Sequence, residues 1–319
     1  MKFRLLFIAL GALLLSAFTT HMQSILIHFE AVQDAKDFDY SALSPHSRKL
    51  LTREIEIAIA EELAKTNAKQ ATEARKGLDG DWWCYNNDIV FEARLGLTLA
   101  EEFSSKDEIA AARQELEARI ADTRASIPPL PDVSGGIPKS NLGALIATLV
   151  ERDQVWERYV VDVMFPTNDE NRKRPAFHSA YGQLVAREKC LVWSANEDVT
   201  EQILKEHGWP LKEDIGAHGL WLIIQHADHN PALQGKALPL IEALVDAGAM
   251  KKRRYAYLYD RYHLNTDGKQ RFGTQVMQDS PGHCVPRPLE EPDRLNELRA
   301  GVGLEPFEDY VVRIPGCQG

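Results

Sequence analysis

The sequence predicts a mainly α-helical protein: a helical N-terminal part, then a helical C-terminal domain carrying a small β-hairpin. Three observations lead there. Apolar residues recur at roughly helical spacing between local start and stop signals, as in Leu50, Leu51, Ile55, Ile57, Ile59 and Leu63. The stretch Gly216 to Asn230, GAHGLWLIIQHADHN, is apolar on all sides through its middle, the mark of a buried helix. Asp267-Gly268 stands between two further segments and reads as a hairpin turn.

In chain order, Lys2 and Arg4 precede an apolar run from Leu5 to Phe18, and small and hydroxyl residues follow. That layout assigns residues 1–22 to a signal peptide, with an uncleaved anchor as the alternative. The run is shorter than the roughly 20 residues of a membrane span, and no later stretch is long and apolar enough to be one. The mature chain is therefore expected in the periplasm or outside the cell.

Residues 25–127 form the helical N-terminal region. Ser44-Pro45 supplies an N-cap and an N1 proline. The helix they open runs until Gly77. Asp81 to Asn87 is aromatic and turn-like, and its rings are read as anchors between helices. A second helix covers Ile89 to Phe103. Ser105 and Glu108 form a capping box that starts a third, through about Ser126.

Residues 128–138, with Pro128, Pro129, Pro131, Gly135, Gly136 and Pro138, cannot be a regular helix or strand and are read as a linker. Proteolysis is expected there first. The C-terminal domain spans 139–314. A helix capped by Ser140 or Asn141 runs to about Phe165. Residues 176–194 are ambiguous, with a helix preferred, and Asn196 to His207 reads as a short helix ending at Gly208. The buried helix and a helix opened by Asn230-Pro231 form an αα-hairpin. A short helix from Tyr255 to Tyr262 leads into the hairpin, and Pro292 to Gly301 closes the series.

The formal net charge is −10, and loss of Lys2 and Arg4 with the leader lowers it by two more. So acidic a surface argues against nucleic acid or an anionic membrane as partner. Lys251 to Arg254 is the one basic cluster and reads as a solvated helix start. The four cysteines are widely spaced, which suits disulfides in an oxidising compartment. Cys284–Cys317 is the pair expected, with Cys84–Cys190 as the other.

Several phrases of the C-terminal half occur in a fixed order. They include Asp153-Gln154 with Arg158, Gly208-Trp209-Pro210, Gln225-His226-Ala227-Asp228, Gln234, Asp260-Arg261 and Gly273-Thr274-Gln275. Together they resemble an uncharacterised bacterial family, a domain of unknown function, over about residues 149–310. The resemblance implies a domain and the place of a site, without a reaction.

The candidate catalytic residues are His226, Asp260 and Arg261. Histidine titrates near neutral pH and is the natural proton carrier. Residues 226 and 228 lie about 200° apart on a helix, so Asp260 is the expected partner of His226. Arg261 could clamp an anionic group. Gln225, Asp228, Gln234 and Gln275 are the candidate substrate-binding residues. No nucleophile motif is present, which leaves water-activated hydrolysis of a small molecule as the plainest enzymatic reading. A metal held by His226, His229 and a nearby Asp is possible but not favoured, because the spacing is not His-Glu-x-x-His; cofactors are otherwise unknown. The alternative is a non-catalytic envelope module that grips a partner protein with its Tyr-rich flank. The same polar residues could also serve as a buried scaffold. His226→Ala is expected to lose at most about 1 kcal/mol, as for a site residue facing water, whereas large losses at both His226 and Arg261 would mark a buried scaffold.

Overall fold

The computed structural model describes residue 29 and residues 31–66, 88–157, 173–209, 216–228, 230–280, 282–314 and 316–317. The expected signal peptide, Cys84, the aromatic stretch 81–87, Arg158, Pro210 and His229 lie outside them. The described residues form a mainly helical protein with one two-stranded antiparallel hairpin. None of their helices is long and apolar enough to cross a membrane.

The N-terminal part contains α1 (Val32–Asp37), α2 (Pro45–Thr66), α3 (Asp88–Leu99) and α4 (Lys106–Ala125). The start signals act as local chemistry requires. The Ser44 hydroxyl accepts the Ser47 amide at 3.1 Å. Ser105 and Glu108 exchange both bonds of a capping box. Leu51, Leu99, Leu116 and Ile120 are fully buried in the first hydrophobic core. The Tyr40 ring lies so close to Gly96 that a Cβ there would fall 2.2 Å from it.

The C-terminal part begins with α5 (Leu142–Gln154). Next comes α6 (Pro175–His207), 33 residues long. The sequence suggests a short helix over 196–207, but it is the last third of α6. Between Pro175 and Gly208 the single Gly182 is not enough to stop the helix, and the ambiguous residues 176–194 continue the same apolar stripe. Glu102 accepts the Ala176 and Phe177 amides and so caps the helix from the N-terminal part. Phe177, Ala180, Tyr181, Leu184 and Val185 enter the first core, whereas Val199 and Ile203 enter a second.

Segment 128–138 is irregular, as its prolines dictate, and lies along the end of α6. Gln202 donates to the Val133 carbonyl at 2.8 Å, Ile137 N–H donates to Glu206 at 2.8 Å, and His207 Nε2 donates to the Ile137 carbonyl at 2.7 Å.

Helices α7 (Gly216–His226) and α8 (Pro231–Asp246) form the expected αα-hairpin, with the Asn230 side chain accepting the Leu233 amide at 3.1 Å. Helix α9 (Lys252–Asp267) follows. Here the structure corrects the sequence reading. Asp267-Gly268 is no hairpin turn: Gly268, at φ 73°, ends α9 in the left-handed conformation. A positive-φ glycine serves a helix end and a tight hairpin alike. The aromatic period on α9 decides between them, since Ala256, Leu258, Tyr259 and Asp260 turn inward. The hairpin lies further on, between β1 (Val276–Ser280) and β2 (His283–Pro286). Met277 pairs with Val285 and Gln278 with Cys284, with an irregularity before Ser280–His283. Short helices α10 (Leu295–Gly301) and α11 (Phe307–Val311) complete the chain. Cys284 and Cys317 are bonded, with Cα atoms 5.4 Å apart, tying β2 to the chain end. Cys190 is disulfide-bonded as well.

Candidate functional site

The site forms where α7 lies against α5. Gly219 permits the approach: a Cβ there would sit 2.8 Å from the γ2 methyls of Ile146 and Val150. Two turns later along each helix of this contact, His226 meets Asp153. The His226 Nδ1 lies 2.9 and 3.0 Å from the two Asp153 carboxylate oxygens. Asp153 is 1% exposed and His226 7%, so both residues are buried. Asp153 also accepts the Gln154 side-chain amide at 2.6 Å.

Helix α6 supplies the third wall. Trp193 stacks on the His226 ring, centroids 4.8 Å apart and planes 16° from parallel. On Trp193 rests the Lys189 ammonium, 4.2 Å from the ring centroid, paired with Glu157 at 2.7 Å. Below, Arg152 donates from Nε to the fully buried Asn196 at 2.9 Å, and Asn196 donates to the Leu149 carbonyl at 3.0 Å. Burial holds the Arg152 guanidinium below its ordinary pKa. One ring face and the Nδ1 edge of His226 are therefore fixed. At Nε2 the Gln225 side-chain amide lies a long 3.4 Å away.

The other sequence candidates divide into two groups. Asp228 and Gln234 adjoin the site. Arg261 Nη1 donates to Asp228 Oδ2, and Gln234 and Asn265 donate to Oδ1 at 3.1 and 3.4 Å. Gln234 also donates to the Ile224 and Gln225 carbonyls and so satisfies the C-terminal end of α7. Asp260 and Gln275 stand elsewhere. Asp260 is fully buried and accepts the backbone amides of Arg271, Phe272 and Thr274 at 2.8–2.9 Å. Burial raises its carboxyl pKa, against the pull of those amides. Gln275 is bound to Gln270 and Thr274 in the same loop.

The expected pairing of His226 with Asp260 is thus replaced by His226 with Asp153. Asp260 and Arg261, neighbours on one helix, point about 100° apart. One therefore faces the 270–275 loop and the other faces Asp228. A signal for Asp153 stands in the sequence: it falls on the apolar stripe Leu142, Leu145, Ile146, Leu149 of α5. A carboxylate in such a stripe requires a buried partner. Among the described residues, no three His, Cys, Asp or Glu side chains cluster as a metal-ligand set.

No curated protein and no solved structure matches the chain. A family match does exist, and it begins further along than the phrases from about residue 149 suggested. It opens within α6, takes in Lys189, Trp193, His226, Asp228 and Arg261, and leaves Asp153 outside. Residues 183–319 are similar to a family of unknown function (DUF6624).

Proposed function

We propose that this is an exported protein whose His226–Asp153 pair performs acid–base chemistry on a small molecule, with water-activated hydrolysis as the reaction class. The observation that carries the reading is the bond between His226 Nδ1 and the buried Asp153 carboxylate. A carboxylate accepts only, so the neutral ring carries its proton on Nδ1 and presents a lone pair at Nε2. That atom can take a proton from an attacking water and return it to the leaving group. The imidazolium formed in between is stabilised by Asp153. The Trp193 stack keeps the ring from rotating out of this alignment. Disulfide bonding of Cys190, Cys284 and Cys317 supports an oxidising compartment and hence export. In the Tyr-rich flank that the envelope-module reading would use, Tyr259 is buried and packs edge-on to Phe272, while Tyr255, Tyr257 and Tyr262 are half-buried.

The test has two arms on the full, disulfide-bonded chain. In the first, p-nitrophenyl esters, phosphates and glycosides are offered to the wild type, His226→Gln and Asp153→Asn. Saturable turnover is expected in the wild type alone, with all three retaining the same circular dichroism. In the second, nitrogen NMR reads the His226 tautomer at alkaline pH. A proton on Nε2, or equal turnover by wild type and His226→Gln, would overturn the reading.

A further inference from the structure

A concave site lies away from His226, between the start of α9 and the last residues described. It encloses about 360 Å³. Tyr257, Leu304, Tyr310 and Ile314 give it flat and apolar walls, and Arg253 and Arg313 stand at its edge. Its size falls within the range of small-molecule pockets.

Its charge is out of keeping with the acidic chain. Arg253 is exposed and has no carboxylate partner among the described residues. Arg313 pairs with Glu305, the one carboxylate in the lining. Behind the Tyr310 ring, 4.8 Å from its centroid, lies the guanidinium of Arg299. Arg299 is fully buried and donates only to carbonyls, at Glu305, Phe272 and Gly273. One of its terminal nitrogens has no partner. Two guanidinium groups, Arg253 and Arg313, thus line the cleft with one carboxylate, Glu305. The charges of Glu305 and Asp260 act on Arg299 and offset part of the cost of its burial, which leaves Arg253 and Arg313 as the cleft's own cations. The Tyr310 ring is braced: its hydroxyl donates to the Thr274 carbonyl at 2.8 Å and Arg299 covers one face, which leaves the other face as a wall of the cleft.

We propose that this cleft binds a small organic anion, a carboxylate or phosphate carried on a flat ring. Arg253 and Arg313 take the charged group, and Tyr257 and Tyr310 flank the ring. Guanidinium donors match the fork of carboxylate or phosphate oxygens, and aromatic walls suit a planar body. The site is separate from the His226–Asp153 pair, so it stands or falls independently of the hydrolytic reading.

The test is calorimetric titration of the full chain with phenyl phosphate, benzoate and inorganic phosphate. Saturable one-to-one binding of phenyl phosphate or benzoate is expected, weakening as salt is raised, with inorganic phosphate at least tenfold weaker. Arg253→Gln and Arg313→Gln are both at exposed positions and should fold normally. Each should weaken the ring-bearing anion about tenfold, and Arg294→Gln, remote from the cleft, should leave it unchanged. Absence of saturable binding by either ring-bearing probe, or binding indifferent to both cleft substitutions, would overturn the proposal.

Discussion

Asp153 and His226, 73 residues apart in the chain, share a hydrogen bond of 2.9 Å inside the protein. Their burial changes what a stability measurement can decide. Removing His226 strips Trp193 of its stacked neighbour and Asp153 of its main partner. His226→Ala is therefore expected to lose about 3 kcal/mol whether or not the pair is catalytic, rather than the small loss expected of a water-facing residue. Urea unfolding measures it, and a loss under about 1 kcal/mol would mean the pair is looser than described.

Asp153→Asn separates the two roles. The amide keeps the shape and can still bond the ring, so a modest loss of about 1–2 kcal/mol is expected. It also permits the opposite tautomer, placing the proton on Nε2. Turnover should then fall by on the order of 10³-fold or more, as when the orienting carboxylate of a catalytic histidine is lost. Equal activity in Asp153→Asn and wild type would leave the pair with a scaffold role alone.

Gly219 sets the distance between α5 and α7. Gly219→Ala gains up to about 1 kcal/mol of helix propensity. Against that, the new methyl meets Ile146 and Val150, whose branched carbons cannot swing away. Overpacking of this kind costs about 1–3 kcal/mol. A small net loss is expected, and the His226 ring signals should shift in NMR although residue 219 does not touch the ring. Unchanged ring signals would show that the helices adjust without moving the site.

Asp260 is assigned to the scaffold. Asp260→Ala leaves three backbone amides of the 271–274 loop without an acceptor and should cost about 3 kcal/mol or more. Any turnover should persist in the fraction that remains folded, measured below the melting temperature. Selective loss of turnover with unchanged stability would return Asp260 to the catalytic set.

Acid should release the 133–137 segment from α6. Hydrogen bonds from Gln202 and the Ile137 amide hold the Glu206 carboxyl below its ordinary pKa of 4.5. A lowered folded-state pKa contributes stability that is present above the ordinary value and is lost as pH falls through the lowered one. The Ile137 amide protection factor, corrected for intrinsic exchange, should decline below about pH 4.5. In Glu206→Gln that decline should be absent. Protection that falls identically in both proteins would assign the effect to other carboxylates.

What was legible in the sequence was local. Ser44, Ser105 and Asn230 announce helix starts because capping involves only the next three residues. Gly268 was legible as a break but not as a kind of break, since left-handed glycine fits two motifs. His226 was legible as the end of a buried helix. Its partner was not: the α5 stripe marks Asp153 as a carboxylate needing a buried partner but does not say which, and Asp260 is excluded only by which face of α9 turns to α7. A contact 73 residues long leaves no periodic trace in one sequence. The Cys284–Cys317 pair could be expected because both flank one short segment.

The 33-residue helix α6 has a practical consequence for anyone dividing the gene. Its first half lies in one core and its second half in the other, while the family match opens at residue 183, partway along it. A fragment starting at 183 would lack Phe177, Ala180 and Tyr181, as well as the α5 carboxylate that orients His226. A fragment starting at 139 would keep the carboxylate but present those apolar side chains to solvent, an invitation to aggregate. The smallest piece worth expressing for chemistry is therefore one that retains the N-terminal helices, with α6 acting as the shared spine on which both halves are threaded.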